Sequence, residues 1–135
     1  MKNGDFSESK THMAILVYYT DNQDAGETLR QVIEKSVQDE KIEVYREIGA
    51  LSERLRRPSF DLSVAVLFCC SKNDLLEVLT LQNLLKDVRV ILILPDDDVD
   101  TLAKGHALGP RFLSYRDGGF QDVAGVLSRM IGRRE

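Results

Sequence analysis

The chain has 135 residues, 43% of them hydrophobic and 30% charged, with a formal net charge of −4. That length suits one domain around a single core and leaves little room for a second. The acidic balance excludes a general basic field for a polyanion, and no apolar run reaches the roughly 20 residues that a membrane-spanning helix needs.

Residues 1–12 are polar and lack the apolar stretch of a signal peptide. They read as a disordered N-terminal arm, with residues 13–135 as a single domain and the cytoplasm as the expected compartment. The first strand is predicted from Met13 to Tyr19, a run rich in β-branched and aromatic residues. Asp24 to Val37 then places Ala25, Leu29, Val32, Ile33 and Val37 at spacings of three and four, the stripe of an amphipathic helix. Asp21, Asn22 and Asp24 suit its start as caps. Lys41 to Glu47 sets Ile42 and Val44 against Glu43 and Tyr45, a weaker pattern that predicts an edge strand. Ile48 to Arg57 carries Leu51 and Leu55 one turn apart and stops at Arg57-Pro58.

Leu62 to Cys70 and Val88 to Leu94 are almost wholly apolar, as expected of parallel strands covered on both faces. Between them, Asp74 to Lys86 predicts a strongly apolar helix. Asp98 to Leu108 predicts a more polar one, with Asp98 as its N-cap after the Pro95–Asp97 loop. Arg111 to Tyr115 is a fifth strand, Gly118-Gly119 a turn, and Phe120 to Ile131 a closing helix. The arginines at 54, 56 and 57, and at 129, 133 and 134, fall near helix C-termini, where positive charge suits the dipole; they read as solvated ends.

Strictly alternating strands and helices require right-handed crossovers and build a parallel sheet with helices on both faces. Five units in this length favour the flavodoxin-like strand order 2-1-3-4-5. Its crevice lies at the carboxyl ends of the first and third strands, where the order reverses. Tyr19 to Asp24 and Phe68 to Asn73 therefore form the place where function is expected.

Several segments resemble the receiver domain of two-component response regulators, the CheY-like family. Ile15-Leu16-Val17-Tyr18 matches that family's opening strand, and Phe60-Asp61-Leu62 introduces the third as the family does. Asp74-Leu75-Leu76-Glu77-Val78-Leu79 resembles its Asp-Gly-Leu-Glu-Leu-Leu helix start. Ala107-Leu108-Gly109-Pro110-Arg111-Phe112-Leu113-Ser114 resembles the segment leading to its lysine. The resemblance implies a CheY-like α/β fold from Met13 to Ile131. It also implies a site in which an acidic pair binds Mg²⁺ and an aspartate after the third strand accepts phosphoryl, since a hard cation takes oxygen ligands.

This chain departs from the pattern at each of those positions. The acidic pair falls on Tyr19 and Thr20, with Asp21 one step later. The acceptor falls near Leu67, and no carboxylate interrupts the run from Leu62 to Asn73. The hydroxyl residue maps to Leu94, and the lysine to Tyr115, with Arg116 beside it. The expected reading is a degenerate pseudo-receiver: no enzyme, no metal, no cofactor, and a signalling module that meets a protein partner without phosphorylation.

Its interaction surface is expected around Asp98, Tyr115, Arg116 and Arg129. A homodimer there would pair Arg129, Arg133 and Arg134 with Asp97, Asp98 or Asp100 across the fourth helix, fifth strand and fifth helix. Neither nucleic acid nor membrane is expected as a partner. A second reading is a small-molecule sensor that uses the vacant crevice through Asp21, Phe68, Cys70, Ser71 and Asn73. A third is a cysteine-dependent redox or transfer enzyme, which needs a base near Cys70 or Ser71. Adjacent Cys69 and Cys70 fit neither a C-x-x-C pair nor a zinc site, and His12 and His106 lie far off in sequence.

Overall fold

A computed structural model of the chain describes residues 13–20, 24–38, 40–58 and 61–132. The N-terminal arm, the caps Asp21 and Asn22, and Arg133 and Arg134 lie outside the described residues. The strands are β1 (Ala14–Tyr18), β2 (Lys41–Tyr45), β3 (Leu62–Phe68), β4 (Val90–Leu94) and β5 (Phe112–Tyr115). They form one parallel sheet in the order β2-β1-β3-β4-β5, as the alternating pattern predicts. The helices are α1 (Asp24–Ser36), α2 (Ile48–Arg56), α3 (Lys72–Leu79), α4 (Val99–Ala107) and α5 (Gln121–Gly132).

Because side chains alternate along a strand, each apolar run feeds two cores. Ile15, Val17, Val64, Val66, Phe68, Ile91 and Ile93 meet Leu29 and Ile33 of α1 and Val123 and Leu127 of α5. Leu16, Tyr18, Ala65, Leu67, Leu92 and Leu94 face the other way, toward Leu51 and Leu55 of α2 and Leu75 and Val78 of α3. On that second face α4 sits close against β4. A Cβ on Gly105 would lie 3.1 Å from a Leu94 methyl, so glycine permits the approach.

Four expectations need correction. β3 ends at Phe68, so Cys69 and Cys70 belong to the loop that follows it. The helix predicted over Asp74–Lys86 begins two residues earlier and breaks at Thr80, whose hydroxyl bonds back to Glu77 O; Gln82–Leu85 then forms a tighter 3₁₀ turn that packs Leu85 inward. On β2, Val44 is exposed while Glu43 is half-buried.

The reason for that reversal is the fourth correction. Arg54 is not a solvated helix end but only 4% exposed, donating to Glu43 Oε1 at 2.8 Å and to Asp61 at 3.2 Å. A buried guanidinium requires partners, and the edge strand turns Glu43 inward to supply one. Tyr45 donates its hydroxyl to the same carboxylate.

Candidate functional site

The crevice at the carboxyl ends of β1 and β3 is lined from below by apolar side chains. Tyr18, Leu67, Phe68 and Leu94 are fully buried and Tyr19 nearly so. Phe68 meets Phe120 edge-on at 5.3 Å. That contact anchors Phe120, whose backbone is left-handed at φ 68° immediately after Gly119 at φ 76°. The positions where the resemblance puts the acceptor and the hydroxyl, Leu67 and Leu94, are thus core residues here.

The polar content of the crevice comes from a residue that sequence comparison passed over. Asp74, in the first turn of α3, is 8% exposed and turns its Oδ2 toward β1 and β3. It accepts from Thr20 Oγ1 at 2.8 Å and from the Cys70 backbone N–H at 3.0 Å. Ser71 caps α3 by accepting from the Asp74 N–H at 3.2 Å. Ser71-Lys72-Asn73-Asp74 is therefore a capping box whose acidic member reaches one residue further back than usual. That local signal was present in the sequence; the contact with Thr20 was not.

Further ties join the remaining loops. Arg116, read from sequence as part of an outer surface, is half-buried and donates to Cys70 O at 3.0 Å. Lys72 reaches Asp98 at 2.5 Å, so Asp98 occupies the N-cap position of α4 without capping it, and Asp96 instead accepts from the Asp98 N–H. Arg46 donates to Tyr19 O at 3.0 Å and lies 4.4 Å over the Tyr19 ring. The loops after all five strands are thereby linked by side chains, and the segment Cys70–Asp74 is where most of the links converge.

The other expected residues are dispersed. Ser71 is spent as a cap, Asn73 is exposed, and Tyr115 packs half-buried against the α2–α3 core. Arg129 is exposed on α5, and Asp100 is paired with Lys104 in its own helix. Asp21 lies outside the described residues. The helix-terminal histidine, His106, sits at the far end of α4, near the amino ends of the strands and away from Cys70.

Burial, then the Asp74 charge, pushes the Cys69 thiol well above its ordinary range, so it is a neutral small hydrophobe. Cys70 Sγ lies 3.9 Å from Phe68 O, a carbonyl that cannot act as a base. Burial and Asp74 likewise push the Tyr18 phenol far up.

A resident Mg²⁺ needs near-octahedral oxygen ligands, several of them from carboxylates or water. Among the described residues no three acidic, histidine or cysteine side chains come together for an ion. The crevice carboxylate, Asp74, already holds Thr20 and Cys70 on one oxygen. These residues do not fit the ion that the receiver pattern implies.

No protein-family model matches the chain, and no curated protein matches its sequence. Solved structures do. The RcsB response regulator of Salmonella typhimurium superposes with a TM-score of 0.69 at 12% identity, over 91% of this chain and 61% of its own. A CheY-like receiver domain protein from Methanospirillum hungatei gives 0.68 at 9% identity, covering 90% of this chain and 96% of its own. The phosphorylated cyanobacterial phytochrome response regulator RcpA gives 0.67 at 15%, with the same coverages. The fold is that of CheY-like receiver domains. Among the described residues no helix is long and apolar enough to cross a membrane.

Proposed function

We propose that this chain is a pseudo-receiver: a non-enzymatic signalling module, working in the cytoplasm, that binds a protein partner without being phosphorylated. The observation that carries the reading is the Asp74 carboxylate. It is committed to Thr20 and to the Cys70 amide, while Leu67 and Leu94 fill the places of a phosphoacceptor and its hydroxyl partner. A receiver that accepts phosphoryl must have two states separated by only a few kcal/mol, so that the added group can shift the balance between them. Loops tied by Thr20–Asp74, Arg116–Cys70 and Lys72–Asp98 favour one state, and the partner surface is then presented constitutively.

We place that surface on α4, β5 and α5, around Tyr115 and Arg129. A twofold dimer is compatible with it, because antiparallel apposition would bring Arg129 of each copy toward Asp97 of the other. Filling of the crevice by Tyr19, Phe68 and Leu94 favours this reading over a sensor for a small molecule. The test is incubation with acetyl phosphate, and separately with beryllofluoride, in the presence of Mg²⁺. No mass gain and no Mg²⁺-dependent change at the crevice are expected. Stoichiometric acyl phosphate, or a beryllofluoride complex that needs Mg²⁺, would overturn the proposal. Sedimentation velocity of the wild type and of Arg129→Asp tests the dimer.

A further inference from the structure

Among the described residues the most exposed large apolar side chains are Val99, at 84%, and Leu76, at 48%. They come from neighbouring helices whose amino ends are joined by one ion pair. Lys72, one turn before Leu76, bridges to Asp98, the residue before Val99, where the amino ends of α3 and α4 meet. Val99 does little for the fold: valine is no better than average in a helix, and here it is almost wholly uncovered, while Leu76 leaves about half its surface open.

Acidic side chains predominate around this seam. Asp96, Asp97, Asp98 and Asp100 follow β4, and Glu77 lies on α3. Of the basic side chains nearby, Lys72 and Lys104 are paired with Asp98 and Asp100, and Arg116 is turned to Cys70 O. Beside Val99 the same loop borders a cavity of about 400 Å³ lined by Pro95, Asp96, Asp97, Tyr115, Asp117 and Gly118. Among the described residues Asp97 and Asp117 have no basic partner. Covering this face with a neutral or acidic surface would bury those carboxylates unpaired, which is costly, so the charge selects the occupant.

We propose that the α3–α4 seam docks a basic amphipathic helix of a partner protein. The partner's aliphatic side chains lie on Leu76 and Val99, and a lysine or arginine enters the cavity between Asp97 and Asp117, against the Tyr115 ring. This face adjoins the one proposed above, with which it shares α4, Asp97 and Tyr115, and rests on that reading of a protein-binding module; the titration reads its Leu76 and Val99 side, which the Arg129→Asp test leaves untouched.

The test is titration of the ¹⁵N-labelled full chain with a synthetic amphipathic leucine–lysine helix. Saturable shifts confined to Lys72, Leu76, Asp97, Val99 and Asp117 are expected. Leu76→Glu combined with Val99→Glu should weaken binding by about tenfold or more, equivalent to one decade in Kd. Both residues are exposed, so circular dichroism should show the fold unchanged. Shifts spread over the surface, or centred on another acidic cavity at Glu34 and Glu40, would overturn the proposal. So would equal affinity in the double variant, or self-association without peptide that Val99→Glu abolishes, which would make a second copy the occupant.

Discussion

Replacing Asp74 separates a structural tie from a reactive group. Asp74→Ala removes the acceptor of two hydrogen bonds, from Thr20 Oγ1 and from the Cys70 amide. Hydrogen bonds to a charged group contribute about 1.5–3 kcal/mol each. Thr20 and Cys70 are both half-buried, so water can replace part of what is lost. The expected cost is therefore about 3–4 kcal/mol, in the lower half of that sum. This is a large share of the roughly 5–15 kcal/mol typical of a domain. Asp74→Asn keeps an acceptor oxygen but not its charge, and should cost about half as much. Thr20→Ala should cost about 1–2 kcal/mol and be non-additive with Asp74→Ala, since each removes the same bond. Urea unfolding with unchanged m-values measures these differences, and hydrogen exchange at Cys70 should quicken in parallel. If Asp74→Ala or Asp74→Asn leaves stability unchanged or raises it, the carboxylate is held at a cost for chemistry. The reasoning would then fail.

Arg54→Ala should destabilise by about 3–5 kcal/mol, because it leaves Glu43 and Asp61 without their buried cation; Arg54→Met with Glu43→Gln should recover much of the loss in the same unfolding assay. Burial works against the Glu43 charge, but the Arg54 and Tyr45 hydrogen bonds outweigh it and hold the carboxyl below its ordinary value. Glu43 therefore adds stability above its unfolded pKa that is lost as pH falls through the lower folded value; Glu43→Gln should flatten that acid limb in a pH series of melts. Tyr18→Phe removes a fully buried hydroxyl with no hydrogen-bond partner among the described residues, and should be neutral or stabilising by up to about 1 kcal/mol; a loss above that would reveal a partner for the hydroxyl. Gly105→Val should cost about 1–3 kcal/mol by thermal melt, since even a Cβ there crowds Leu94.

The parts of this molecule that sequence makes legible are those that depend on near neighbours in the chain. Leu62–Phe68 and Val90–Leu94 can be read as central strands because burial on both faces leaves them almost wholly apolar, Ser63 alone excepted. The sheet order follows from alternation and crossover handedness, and the reversal of order locates the crevice. What decides the crevice's chemistry is not local. Ser71-x-x-Asp74 announces a cap, but a cap says nothing about the second partner of the carboxylate, which is Thr20, 54 residues away. Arg54 looked like a member of a basic helix end, and only the edge register of β2 shows that Glu43 is turned to meet it.

Arg116 shows why residue-by-residue mapping reaches its limit at a strand end. The pattern assigns the controlling position to Tyr115, the last residue of β5, whereas Arg116 opens the 3₁₀ turn that follows it. Tyr115 accordingly packs toward the α2–α3 core, and it is Arg116 that crosses to Cys70. A cation just beyond β5 is directed at a backbone carbonyl of this same chain. A carboxylate in the first turn of α3 is likewise directed at Thr20. This mutual pairing ties the crevice's loops to one another. It also gives the Asp74 and acetyl phosphate experiments one shared logic: each asks whether those partners can be given up.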